Sequence, residues 1–234
     1  MIRFAELERL GVAVAAMSDR SDGDCRAHDP SGEPGRQAFC TALGIDCAKV
    51  TVGKQVHGTR VVIVAAGDRG RGSAIGHAPF AETDALITGE VGLPIAVTVA
   101  DCVPILLFDP VTEVIGVAHA GRAGTVQGIA RCTVEAMAAS FGTNPADVHA
   151  VIGPSAGPTS YEVSEELARE FLEAGLPTRG RLLDLWEANA GQLVKAGVPR
   201  GQITVSGICT ITDGRFHSHR AHANGMRNMA ILMR

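Results

Sequence analysis

From Leu93 to Phe108 the chain reads LPIAVTVADCVPILLF, an apolar run holding one carboxylate and one thiol at its centre. The run reads as two buried strands, IAVTVA and PILLFD, broken at Pro104, which has no N–H to give to a ladder. Asp101 and Cys102 then fall at strand ends, beside a turn. A second apolar run, VIGVAHAGRAGT, finishes in a histidine and glycines and places His119 at a strand-to-loop exit. Upstream, KQVHG puts His57 in a third position of the same kind.

The remaining segments group in a similar way. Lys49 to Ala66 suggests two strands, DALIT another, and DVHAVIG, QITVSGI and MAILMR three more. Thr125 can cap a helix whose apolar positions, Val126, Ile129, Ala130, Thr133, Met137 and Phe141, follow a 3.6-residue period and which ends at Gly142. SEELAREFLEAG is a helix capped by Ser164, and LLDLWEANAGQLVKAG carries a capping-box spacing from Asp184 to Glu187. Polar residues 18–36 form a long loop before the short helix RQAFCTALG, and a second loop, GDRGRGSAIGHAPFAE, precedes DALIT. Helices do not follow each strand singly. The pattern therefore predicts an α+β fold, sandwich-like, with a mixed or antiparallel sheet flanked by helices. No linker or repeat divides residues 1–234, so a single domain is expected.

Composition narrows the function. Hydrophobic residues make up 46% but aromatic ones only 4%, so aliphatic side chains must build the core. A formal charge of −4 gives no general attraction to nucleic acid or to anionic membrane. No uncharged apolar stretch reaches the roughly 18 residues a spanning helix needs. Glu6 and Glu8 precede the first apolar run, the wrong order for a secretory signal. Six cysteines, at 25, 40, 47, 102, 132 and 209, form no CxxC pair, as expected of reduced thiols in a cytoplasmic protein.

A cysteine and two histidines at strand ends make a three-donor set for zinc, with a fourth position open for catalysis. Their spacing alone is irregular, and a buried Cys or His is commonly just packed. The same Cys102 and His119 also fit a metal-free nucleophile–base pair; His57 tilts the choice toward metal. Asp101 can orient a histidine ligand from behind or pair with an arginine. In AHAGRAGT, backbone N–H groups from Gly121 to Thr125, with Gly124 and the charge of Arg122, can hold a phosphate, or the glycines simply make the turn. In FHSHRAH, His217 and His219 form an HxH pair, a copper reading discounted because no cysteine or methionine ligand lies nearby in sequence.

KQVHG, TDALIT, VTVADCVPILLFDP, GVAHAGRAGT, VIGPSAGPTSYEV, LDLWEANAGQL, ICT and FHSHR occur in that order. Together they resemble the laccase-domain family, also called polyphenol oxidase or multicopper-oxidase-like proteins and assigned as purine nucleoside phosphorylases. The likeness runs from about Val50 to the C-terminus and is weaker before it. It implies a sandwich-like fold shared with a bacterial toxin deamidase domain, and zinc, less readily copper, on His57, Cys102 and His119. It also implies phosphorolysis of adenosine, inosine and methylthioadenosine, with adenosine deamination; the chain itself leaves monomer or small homo-oligomer open. The partners are then a purine nucleoside and phosphate, with Asp101 as proton carrier, Gln55 toward base or ribose, and Arg122 and Arg220 toward phosphate. The chain departs from the family at Arg122 and Ala123, where Trp-Arg is usual. It departs again at Ser155 and Ser160, where cysteines are usual, and at His217, His219 and Ala221 in the tail. The metal set is intact while the residues around the substrate are altered. Two other outcomes follow from the same residues: a metal-free thiol hydrolase or deamidase, and a zinc- and nucleoside-binding protein without turnover.

Overall fold

The computed structural model describes residues 1–73 and 77–234; residues 74–76, inside the second predicted loop, lie outside the described residues. In chain order the strands are β1 (Ile2–Arg3), β2 (Val14–Met17), β3 (Thr51–Val52), β4 (Val61–Ile63), β5 (Ala85–Thr88), β6 (Ile95–Val99) and β7 (Val103–Asp109). They continue as β8 (Val114–Ala120), β9 (His149–Ile152), β10 (Thr178–Arg179), β11 (Leu182–Leu183), β12 (Ile203–Val205) and β13 (Asn228–Met233). The helices are α1 (Ala5–Glu8), α2 (Glu33–Leu43), α3 (Arg122–Gln127), α4 (Ile129–Phe141), α5 (Glu165–Glu173), α6 (Leu185–Lys195) and α7 (His219–His222).

Two mixed sheets carry the fold, one in the order β1-β2-β13-β6-β3 and the other β12-β9-β7-β8-β5-β4. Strand alternation sorts their side chains into three apolar layers. Leu106 and Phe108 of β7 meet Val97 of β6 and Leu232 of β13 between the sheets. Ile105 and Leu107 face the other way, against Val134 and Met137 of α4 and Leu193 of α6. On the far side of the smaller sheet, Ala96 and Ile231 pack on Phe39 and Cys40 of α2. The result is an α+β sandwich with helices outside both sheets. Because each sheet is covered on both faces, its central strands read as continuous apolar runs rather than alternating ones.

Ser164 caps α5 and Asp184 caps α6 through the backbone N–H groups of Leu167 and Glu187, as the sequence predicts. Pro104, in contrast, lies inside β7, opposite His119 of β8. Pairing of β7 with β9 stops at Ile105 and Ile152. The Pro104 carbonyl then accepts from Gly153 N, so the ring occupies a place where no ladder donor is required. The break between the strands falls instead at residues 100–102, where the chain leaves one sheet for the other. The predicted helix from Thr125 is two helices: α3 begins at Arg122, and Gly128, at φ 91°, separates it from α4. The loop at 18–36 is shorter than expected, since α2 starts at Glu33 and buries Gly35 and Arg36. No helix among the described residues is long and apolar enough to cross a membrane.

Leu106 is fully buried between the sheets. Leu106→Ala is expected to lower the unfolding free energy by about 2–5 kcal/mol in urea titrations. A loss below about 1 kcal/mol would mean that the interior does not close around this side chain.

Candidate metal centre

His57, Cys102 and His119 meet at the seam between the sheets, with their ligand atoms all within 4.8 Å of one another. Each is delivered by a different device. Cys102 lies in the crossing from β6 to β7, where Asp101 takes φ 80° to turn the chain. His119 is the penultimate residue of β8. His57 belongs to the loop from β3 to β4 and is itself left-handed, at φ 64°. The two imidazoles meet edge to face, ring centroids 4.8 Å apart. Gly121 supplies the room: a Cβ there would stand 2.6 Å from His57 Cδ2 and 3.0 Å from Cys102 Sγ.

Asp84, which no motif in the sequence marks as a functional residue, organises the donors. It sits immediately before β5 and is buried. Its Oδ1 accepts from His57 N at 2.9 Å and from His119 Nδ1–H at 2.8 Å. Its Oδ2 accepts from the backbone N–H groups of Val56 and Gly58, each at 3.0 Å. Its carbonyl receives His119 N at 2.7 Å. One carboxylate therefore shapes the His57 loop and fixes the His119 tautomer, leaving Nε2 for a ligand. Burial works to raise the Asp84 carboxyl, but His119 and the backbone donors outweigh it and hold the group below the ordinary carboxylate range. The available signal was an acid at the head of a short apolar strand, a position that demands a partner.

The electrostatics suit a cation. Burial raises the Cys102 thiol, yet His119 and His57 bring it down to about 6. Burial lowers His119, while the Cys102 sulfur and Asp84 carry it up to about 9. Without metal, a thiolate thus faces an imidazolium at neutral pH. Among the described residues no other cluster of three such donors forms. The two histidines of the HxH segment have separate surroundings: His217 is buried and donates from Nε2 to Gly23 O at 3.0 Å, whereas His219 lines the cavity.

That cavity, about 720 Å³, opens beside the triad. Asp101 borders it, but its oxygens accept from Thr210 Oγ1 and from Arg220 N, both at 2.7 Å. It touches neither histidine's outer nitrogen, so the orienting part expected of it belongs to Asp84, and its arginine partner is a backbone N–H, not a guanidinium. Gln55 also borders the cavity, with its amide clamped on Thr98: Nε2 donates to Thr98 O and Oε1 accepts from Thr98 N, each at 2.8 Å. Of the turn expected to cradle phosphate, Arg122 and Ala123 line the cavity. Gly121, Gly124 and Thr125 are buried. Thr125 is not a cap; its Oγ1 accepts from Asn189 Nδ2 in the core. Arg122 is held by Glu170 Oε2. Arg220 lies over the Tyr161 ring, 5.0 Å from its centroid, and donates to Glu162 O.

Fold and centre together define a two-sheet sandwich protein with a Cys-His-His donor group, able to hold a metal ion, opening on a cavity. The chain belongs to the family described as multi-copper polyphenol oxidoreductase laccase, whose profile matches residues 28–234. It is 36% identical over 197 residues to the purine nucleoside phosphorylase YlmD of Bacillus subtilis, covering 79% of this chain and 70% of that protein. To a purine nucleoside phosphorylase of Deinococcus radiodurans it is 40% identical over 207 residues, covering 86% and 76%. The crystal structure of YlmD from Geobacillus stearothermophilus superposes with a TM-score of 0.84 at 30% identity, over 94% of this chain and 91% of that one.

Two measurements check the centre. Asp84→Asn should weaken metal binding about 10–100-fold in chelator competition, since it removes the charge behind His119; unchanged affinity would mean the histidines are held by something else. Metal must also displace the protons that Cys102 and His119 carry. From this pair, about one proton should leave between pH 6 and 9, two below pH 6 and none above pH 9. Calorimetry in buffers of different ionisation enthalpy reads this number, and a pH-independent count would contradict the assignment.

Proposed function

We propose that this chain is a zinc-dependent purine nucleoside phosphorylase acting on adenosine, inosine and methylthioadenosine, with adenosine deamination at the same centre. The observation that carries the reading is the convergence of His57, Cys102 and His119 beside an open cavity. The names of the relatives at 36–40% identity supply the substrate class. One thiolate and two imidazoles suit zinc, and three protein donors leave a position for exchange. When bound, zinc supplies a Lewis acid and lowers the pKa of water toward neutrality.

The side chains around the triad account for the rest. Tyr161, half-buried at the cavity wall, offers aromatic surface for a purine. In phosphorolysis a phosphate oxygen bonds to C1′, the C1′–N9 bond breaks, and the base leaves with the bonding pair and takes up a proton. In deamination water adds at C6 and ammonia departs. Arg220, with Arg122 nearby, brings positive charge to bear on the substrate. Asp101, with both oxygens engaged, is a positioning residue that holds the start of α7 and hence Arg220. Gln55 acts through Thr98, keeping the cavity wall in place.

The Cys102 thiolate, His119 imidazolium and Asp84 carboxylate also have the layout of a metal-free thiol enzyme. Chelation and alkylation separate the two readings. Purified protein should contain about one zinc and convert inosine to hypoxanthine only with phosphate present. His57→Ala should lose the metal and lower kcat/KM more than about 100-fold. Activity that survives metal removal but not alkylation of Cys102 would favour the thiol enzyme, and metal binding without any turnover would reduce the chain to a binding protein.

A further inference from the structure

Five cationic side chains, Arg26, Lys54, Arg122, Arg220 and Arg227, line the cavity against one carboxylate, Asp101, among the described lining residues. The chain as a whole carries −4, so this charge is local and concentrated in a concave, partly desolvated space. The cations are not equivalent. Arg122 pairs with Glu170, and Arg26 with Asp24 and Asp29. Arg220 is stacked on Tyr161 beside the triad. Lys54 and Arg227 meet no carboxylate within ion-pair distance among the described residues. Arg227 spends only Nη1, on the carbonyls of Gly225 and Met226, which leaves Nε and Nη2 available.

The segments bearing these two cations are tied to one loop, residues 24–28, by a built scaffold. Asp24 Oδ1 accepts from Arg26 N at 3.0 Å and from Arg227 N at 2.9 Å, while its Oδ2 takes the Arg26 guanidinium. Cys25 N donates to Arg227 O at 2.9 Å. The Arg26 guanidinium lies 3.6 Å from the place a Cβ on Gly225 would occupy. His28 donates from Nε2 to Gly53 O at 3.1 Å, tying the same loop to the segment that bears Lys54. Glycine is needed at 53 and 72 for this seat, because a Cβ on Gly72 would come 2.7 Å from the His28 ring and one on Gly53 would meet Thr83 O at 2.5 Å. Three distant pieces of chain, 26–28, 53–54 and 225–227, thus converge and none of them carries a metal ligand.

Phosphorolysis needs such a second place. The nucleophile must reach C1′ on the face opposite the departing base, so phosphate cannot share the position where the base is held. A base resting near the triad, against Tyr161, requires the anion on another wall. We propose that Lys54 and Arg227, backed by Arg26, form the seat of the inorganic phosphate co-substrate. This rests on the phosphorylase reading above and replaces the glycine turn at 121–125 as the anion site.

Lys54→Gln and Arg227→Gln should each raise the KM for phosphate at least about tenfold while the KM for inosine stays within about twofold. Lys54→Arg should restore most of the loss. Calorimetric titration of inorganic phosphate into the zinc-loaded enzyme, without nucleoside, should give the same order of affinities. Should the wild type phosphorolyse inosine while both glutamine variants keep its phosphate KM, the seat is wrong and the function stands. If the wild type turns over no nucleoside yet binds phosphate about tenfold more tightly than the variants, the seat stands and the phosphorylase assignment falls. A parallel rise in both KM values would place the two side chains at the nucleoside and overturn the proposal.

Discussion

A buried carboxylate is expensive unless every lone pair finds a donor, and Asp84 solves that problem with the candidate ligands themselves. Three consecutive backbone N–H groups and one imidazole converge on its two oxygens. The same contacts that satisfy the acid bend the loop into the left-handed turn at His57, a conformation a histidine resists on its own. Remove the charge and the loop loses its template, the imidazole of His119 its tautomer, and the sulfur of Cys102 its counter-ion.

The two sheets explain where this arrangement can sit. Strand pairing alone would keep β6 with β13 and β7 with β8, each in its own layer. The crossing at residues 100–102 is the short path between layers, and it needs Asp101 in a left-handed turn, steadied by Thr210 and by the backbone of Arg220. Polar atoms collect at such a seam because the ladders end there and backbone groups need other partners. The seam also opens on the cavity, so the donors are buried enough to perturb each other and accessible enough to exchange a ligand.

Much of this was legible in the chain. VIGVAHA and DVHAVIG announce β8 and β9 by composition, and Ser164 and Asp184 mark the starts of α5 and α6 because a cap needs a side-chain oxygen at that one place. His57, Cys102 and His119 stood out as reactive groups at the ends of apolar runs. Other features depend on distant partners and left no local trace. Pro104 reads as a breaker until β9 is seen to end beside it. Thr125 reads as a cap, yet its hydroxyl is claimed by Asn189 from α6. Asp84 looks like an ordinary acid before a strand, and the cavity-lining cations Arg26, Lys54 and Arg227 come from segments that periodicity cannot connect.

The loop carrying His57 leaves the smaller sheet at β3 and enters the larger one at β4, and the segment carrying Cys102 makes the same passage from β6 to β7. An ion held by both, and by His119 from the larger sheet, would rivet the two halves of the sandwich at their common rim. Occupancy would then be felt far beyond the cavity, as resistance to shear between layers that are otherwise joined chiefly by greasy, directionless contacts. In this architecture an inorganic component would double as masonry.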